Sequence, residues 1–329
     1  MKNPICQKQK PYRTLAIIGN GFDLAHNYAT LYKSFVDSTD SESLDIFREY
    51  CDKDGTITTW YSFEENINHL TQELFFQSYM DSDSYDDARQ KQSHLTAVFE
   101  DIHRLLIKYL RSITESKHVV KLHSVKKHLK RKTVAFSFNY TNVAKAYSCD
   151  TYYVHGSLDE DDILLGYDYR DEACLAQYDD MRWSKRICRE SLAFRRYLRN
   201  DLHLPAGSAE YDERIASLET YQQYENSGRG IDEEDETIIP HFHLVDEFLK
   251  AYRKNGYLPS ISFNKISTIV VLGHGIEADR VFLSRIIEKC PRLKKVVIFR
   301  YEGESDHSFD MKAEFFKPYC KRIRSAKYR

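Results

Sequence analysis

No apolar run in this chain approaches the roughly 20 residues that a membrane-spanning helix requires, although 42% of its 329 residues are hydrophobic. Met1–Lys10 is polar and has no apolar core, so neither a secretory leader nor an anchor is expected there. No C-x-x-C pair occurs, which argues against a structural zinc ribbon. The seven cysteines are odd in number and scattered, the pattern of reduced thiols in a cytoplasmic protein. An excess of one charge sign is missing too. With 48 Lys+Arg against 50 Asp+Glu the formal net charge is −2, so bulk charge gives no signal for nucleic acid or an anionic membrane. Internal repeats and low-complexity linkers are absent. What remains is a chain long enough for one large α/β domain or two small ones, with an aromatic content of 13% that includes 24 Tyr.

The most informative stretch is Thr14–His26. Leu15–Ile18 is a short apolar run of the kind that suits a buried parallel strand. Gly19-Asn20-Gly21 breaks it, and glycine there permits positive φ and close approach to bare backbone. Phe22-Asp23 opens a helical pattern in which Leu24, Tyr28, Leu31, Tyr32 and Phe35 recur at helical intervals. Strand, glycine turn and helix N-terminus together make an anion or nucleotide cradle, because the first helical N–H groups lack intrahelical partners. A tight structural βα turn with no ligand is the alternative. Two familiar nucleotide loops are excluded. A dinucleotide fingerprint needs a small residue where Leu24 stands, and a P-loop needs Gly-Lys-Ser/Thr after the turn. Asp23 could cap the helix or bond a ribose hydroxyl, and His26 could face the same cleft.

Further along, residues 41–116 read as helical. Leu44, Ile46, Phe47 and Tyr50 give one short helix, and Trp60 to Ile67 opens another. Leu95, Val98, Phe99, Ile102, Leu105, Leu106 and Tyr109 trace a long amphipathic face. The basic run Lys126–Lys132 is either a phosphate contact or a solvated helix end. A strand over Thr133–Phe138 ends in Asn139-Tyr140-Thr141, a second over Thr151–Val154 ends in His155-Gly156, and Ile163–Tyr167 is a third short element. Residues 170–264 read as mostly helical. Their acidic cluster Asp232–Glu236 and the pair His241 and His243 fit a solvated stretch and a structural role better than a metal site. Ser267–Leu272 reads as the most apolar strand and stops at Gly273-His274-Gly275. Glu277 and Asp279 follow at the start of a helix, where acids favour its positive end. Lys294–Arg300 reads as the final strand. The expected architecture is α/β, an open Rossmann-like, mainly parallel sheet with helical insertions at about 40–132 and 170–264. Ligands of such sheets bind beyond the carboxyl ends of the strands, so the four polar or glycine-containing strand tips are expected to share one crevice.

The block Ile17-Ile18-Gly19-Asn20-Gly21-Phe22-Asp23-Leu24-Ala25-His26, with Thr30–Phe35 after it, resembles the opening signature of the AbiH-type bacteriophage abortive-infection proteins. Trp60-x-x-Phe63-Glu64, Phe138–Thr141, Val154-His155-Gly156 and Leu272–Gly275 resemble later blocks of that family, in the family's order, so the likeness spans residues 15–283. Gly275 departs from the pattern, since the family more often has Ser there. At a greater distance the same order is similar to sirtuin-like NAD-binding domains. Lacking the sirtuin cysteine pairs, the chain resembles their NAD-hydrolysing branch. The resemblance implies one sirtuin-like domain over residues 1–329 and an NAD glycohydrolase that cleaves the nicotinamide–ribose bond. Carried over by position, Asn139 and His155 would be the catalytic pair. Gly19, Asn20, Gly21, Phe22, Asp23, His26, Gly156, Gly273 and His274 would bind the cofactor. NAD is then substrate or ligand, and no metal is expected. The expected partners are a nucleotide, a phage-derived or host trigger and further copies of the chain, with no membrane and no nucleic acid.

Chemistry supports those roles. Asn139 can donate and accept, so it could orient water or a ribose hydroxyl. His155 titrates near neutral pH and could take the proton. The blander readings are an Asx-turn for Asn139 and a hydrogen-bonded core histidine for His155. For the whole protein, the alternatives are a nucleotide-sensing module without catalysis and a nuclease-type toxin.

Overall fold

Leu15–Ile18 is completely buried, as a strand must be when both faces of a parallel sheet are covered. The computed structural model describes residues 11–51, 57, 63, 85–115, 117–160, 162–164, 185–226, 231, 235–255, 261–301 and 304–329. Its strands are β1 Thr14–Ile18, β2 Thr133–Ser137, β3 Asp150–Tyr153, β4 Gly156–Ser157, β5 Asp162–Ile163, β6 Thr268–Leu272, β7 Lys295–Arg300 and β8 Ile323–Lys327. Six of them form one sheet in the order β3-β2-β1-β6-β7-β8, and every pairing in it is parallel. β4 and β5 make a small antiparallel hairpin. The fold is therefore α/β with a parallel sheet. From the central β1 the chain builds outward to β2 and β3 on one side and to β6, β7 and β8 on the other. The direction of winding reverses between β1 and β6.

The chain divides into two compact units, one of residues 1–8 and 164–260, the other of residues 9–163 and 261–329. In the first, the helices Lys185–Asn200, Ala209–Asn226 and Phe242–Asn255 bury an aromatic core that includes Phe194, Tyr197, Tyr221 and Phe248. The buried Glu190 carboxylate meets Arg253 Nε at 2.8 Å, and the same guanidinium reaches Glu225 at 2.7 Å. A buried charge is tolerable only when paired in this way. The second unit holds the sheet. On one of its faces Phe22, Val125, Leu129, Val143, Tyr147, Val297 and Phe299 form a continuous core. The helix Tyr85–Glu115 carries Val98, Phe99, Ile102, Leu106 and Leu110 on its buried side, the face that the 3.6-residue period marks out.

Two expectations need correction. The helical pattern from Phe22 to Phe35 is not one helix but two, Asn20–Ala25 and Tyr32–Ser38, separated by Asn27 at φ 63°. Asparagine tolerates that left-handed conformation better than most residues, and the break leaves Leu31 exposed while Tyr28, Tyr32 and Phe35 are buried. The strand at Lys295–Arg300 is not the last. β8 follows it with the sequence Ile-Arg-Ser-Ala-Lys, whose two cations hide any apolar alternation and suit an edge strand that must resist further pairing. Among the described residues no helix is long and apolar enough to cross a membrane.

Candidate functional site

The glycines at the tips of β1 and β6 lock the two tips to each other. Gly19 N–H donates to Leu272 O at 2.9 Å and Gly21 N–H to Gly273 O at 2.9 Å, while Phe22 N–H turns back to Gly19 O. A Cβ on Gly273, which has φ +66°, would stand 2.2 Å from Phe22 N, and one on Gly19 would stand 2.6 Å from His274 Cα. No side chain fits at either place. The N–H groups of Gly19 and Gly21, expected from the pattern to face an anion, point at carbonyls of the neighbouring tip instead, because buried backbone donors require partners.

Asp23 lies just inside this junction and is 1% exposed. It is not a helix cap: the N-cap is Gly19, without a side-chain bond, and Asp23 sits within the helix body. Thr141 Oγ1 donates to its Oδ2 at 2.6 Å, whereas its Oδ1 has no hydrogen-bond partner among the described residues. Burial pushes the carboxyl pKa up to about 7, against the opposing pull of Thr141 and Asn139. Asn139, also buried, donates through Nδ2 to Gly19 O at 3.0 Å. Its side chain therefore ties the tip of β2 to that of β1 and does not close an Asx-turn.

A second polar cluster adjoins the first, since the His274 backbone packs on Gly19. His155, beyond β3, and His274, beyond β6, approach one carboxylate from two sides. His155 Nε2 stands 3.5 Å from Asp279 Oδ1, and His274 Nε2 stands 3.4 Å from Asp279 Oδ2. All three side chains are buried. Ile276 N–H donates to His274 Nδ1 at 2.9 Å, so that nitrogen is an acceptor and the ring proton of the neutral form belongs on Nε2, toward Asp279. Ile276 makes this bond from φ 72°, ψ −51°, a strained backbone conformation for a β-branched residue. Phe138 presents its ring edge-to-face between the histidines, with centroids 4.3 Å from His274 and 5.4 Å from His155. Among the described residues no group of His, Cys, Asp and Glu is arranged to hold a metal ion.

Asp279 is the site residue that sequence reasoning missed. It was expected to favour a helix dipole. It does precede the helix Arg280–Glu288, but makes no cap bond there, and its carboxylate goes to the two histidines. Glu277, by contrast, pairs with Arg280 at 2.7 Å on the surface. The only sequence signal for Asp279 is its position five residues after His274, in a tip rich in polar groups.

Other candidate residues make their contacts elsewhere. His26 Nδ1 donates to Phe22 O at 2.7 Å, Tyr147 O–H donates to His26 Nε2 at 2.7 Å, and Leu122 N–H donates to Tyr147 at 2.9 Å. Both ring nitrogens are thus satisfied within the core, and burial lowers the His26 pKa. Phe22 belongs to the same core and packs on the His26 ring with centroids 4.4 Å apart. Asn20 accepts a hydrogen bond from Thr30. Gly156, at φ 81°, starts the small hairpin against Ile163. Trp60, Glu64, Tyr167 and the acidic residues Asp232, Glu233 and Glu234 lie outside the described residues.

Residues 15–301 match the family model for the bacteriophage abortive infection protein AbiH, and no curated protein matches the chain. The matched span contains every strand tip described above, from Gly19 to Asp279, and covers most of the sequence. The chain belongs to the AbiH family of bacteriophage abortive-infection proteins.

Proposed function

We propose that this chain, whose family membership implies a role in antiphage abortive infection, binds NAD or a related nucleotide at the carboxyl ends of β1, β2 and β6 and hydrolyses NAD at the nicotinamide–ribose bond. The observation that carries the reading is Asp23. A carboxyl that is 1% exposed, with one oxygen unpartnered and a pKa raised to about 7, costs the fold stability and gives it no helix cap. Such groups persist where a ligand uses them. A ribose hydroxyl is a suitable donor for that oxygen.

Three further features support the reading. The sheet order, with winding that reverses at β1, is that of doubly wound sheets that take dinucleotides at the reversal point. Asn139 is held against Gly19 by its own hydrogen bond, so its amide is already oriented. His155 faces a carboxylate, Asp279, that would stabilise the imidazolium formed when it accepts a proton from water. With the N–H groups of Gly19 and Gly21 engaged, side chains rather than those amides would make the polar contacts here. The test is the NAD level of phage-infected cells that express the protein. NAD should collapse with wild type and hold with Asn139→Ala or His155→Ala. A collapse that both variants reproduce in full removes the assignment.

A further inference from the structure

We propose that the amino-terminal edge of the six-stranded sheet, opposite the candidate site, is a docking surface for the phosphate backbone of nucleic acid. The residues that enter the strands form one hydrogen-bonded row. Arg13 N–H donates to Lys132 O, Ser267 N–H to Arg13 O, Lys294 N–H to Ser267 O, and Val296 N–H to Arg322 O, each at 2.9 Å. Lys132, Arg13, Ser267 and Lys294 thus lie side by side at the starts of β2, β1, β6 and β7, and Arg322, one residue further along in register, enters β8 beside them. All but Ser267 are cations, and all four cations are exposed. At about 4.8 Å between strands the row is roughly 19 Å long.

Exposed cations in the same entering segments, Lys130, Arg131 and Lys321, widen it. Lys127, Lys130 and Lys295 converge on His128, whose pKa falls to about 4 through burial first and their charges second. The one carboxylate that enters a strand on this edge, Asp150 of β3, lies beyond the row and is bonded by the Tyr12 hydroxyl. None of the row's cations forms an ion pair with a described carboxylate. In a chain of net charge −2 this is segregation of charge, invisible in the total. Like charges on adjacent strands repel, and a row that keeps them unpaired is the footprint of a polyanion.

The chemistry of the edge selects among polyanions. Adsorption to a lipid surface combines cations with an inserted apolar face. None of the exposed large hydrophobics, Leu31, Val120, Ile238, Val281, Tyr301 and Met311, lies in the segments that enter the strands. No exposed aromatic stands in the row either, so it has no platform for stacking bases. What the row can read is the phosphate backbone, without regard to sequence. A row roughly 19 Å long spans about five or six phosphates of one duplex strand, which are about 3.4 Å apart along the axis. This inference does not depend on nucleotide hydrolysis at the other end of the sheet.

The experiment is fluorescence anisotropy of a labelled 20-base-pair duplex of arbitrary sequence, titrated with the full chain between 50 and 300 mM NaCl. Four contacted phosphates give a slope of log K against log salt of about −3.6, and each cation removed makes it shallower by about 0.9. The triple variant Arg13→Gln, Lys132→Gln, Lys294→Gln should therefore bind weakly, with a slope of about −0.9, while Lys108→Gln, an exposed cation on the long helix, behaves as wild type. The four sites are exposed, and circular dichroism checks that the triple variant is folded. Absence of saturable binding at 50 mM salt overturns the proposal, as does a slope that the triple variant leaves unchanged. Phosphatidylserine vesicles are the second arm. Vesicle binding abolished by the triple variant, without duplex binding, gives the edge to a lipid surface and likewise overturns it.

Discussion

Replacing Asp23 with Asn should stabilise the protein, and by an amount that grows with pH. The folded carboxyl has a pKa raised from 3.8 to about 7, so between those values the folded state holds a proton that the unfolded state releases. Stability therefore falls as pH rises through this window, the reverse of an ordinary salt-bridged aspartate. At 1.36 kcal/mol per unit the full loss is about 4 kcal/mol. Asparagine keeps the shape and still accepts from Thr141, but never ionises. The Asn variant should exceed wild type by about 2 kcal/mol at pH 5 and about 4 kcal/mol at pH 8. Urea unfolding followed by circular dichroism at a series of pH values reads the gap. His26 and His128, both with lowered pKa values, act in the opposite sense and destabilise the fold as pH drops below 6.5. The difference between the two proteins, not the wild-type curve alone, is therefore the quantity to follow. A gap independent of pH, or an Asn variant less stable at pH 8, would show that the Asp23 charge is compensated and refute the argument. If the carboxyl serves a ligand, the more stable variant should also bind NAD more weakly.

Gly273→Ala should be the most damaging single-methyl change in the sheet unit. It meets Phe22 N at 2.2 Å from an unfavourable φ, and a cost of about 3 kcal/mol or more should appear as a lower urea midpoint or loss of soluble protein. Tyr147→Phe strips a partner from both His26 Nε2 and Leu122 N–H. It should cost roughly 1–3 kcal/mol and leave NAD binding unaltered, a pairing of effects that calorimetry with and without ligand would check. Asp279→Asn should alter the ring resonances of both His155 and His274 in long-range 1H–15N spectra. His274 should show the Nε2–H tautomer in wild type, because Ile276 N–H occupies Nδ1; an Nδ1–H signal there would contradict the geometry.

The strands were legible wherever burial writes a continuous apolar run. Leu15–Ile18 and Thr268–Leu272 announce themselves because each is covered on both faces. β8 did not, since an edge strand with Arg324 and Lys327 carries no such run. The polar tips were legible as residue types, yet their partners were not. That Gly273 would close on Gly21, more than two hundred residues away, and that Asp279 would join His155 to His274, follows from which strands are neighbours.

The sequence by itself determined an α/β chain with apolar strands, polar strand tips and long amphipathic helices, because local periodicity and burial act within a few residues. Only the tertiary structure decided the rest. Sheet order placed β6 beside β1, which turned the glycines from an open cradle into a lock and left Asp23 buried with an oxygen to spare. It also gathered Arg13, Lys132, Lys294 and Arg322 into one row from four distant places in a nearly neutral chain. The physical reason is the same in each case. The backbone hydrogen bonds of a parallel sheet join residues that no local pattern relates.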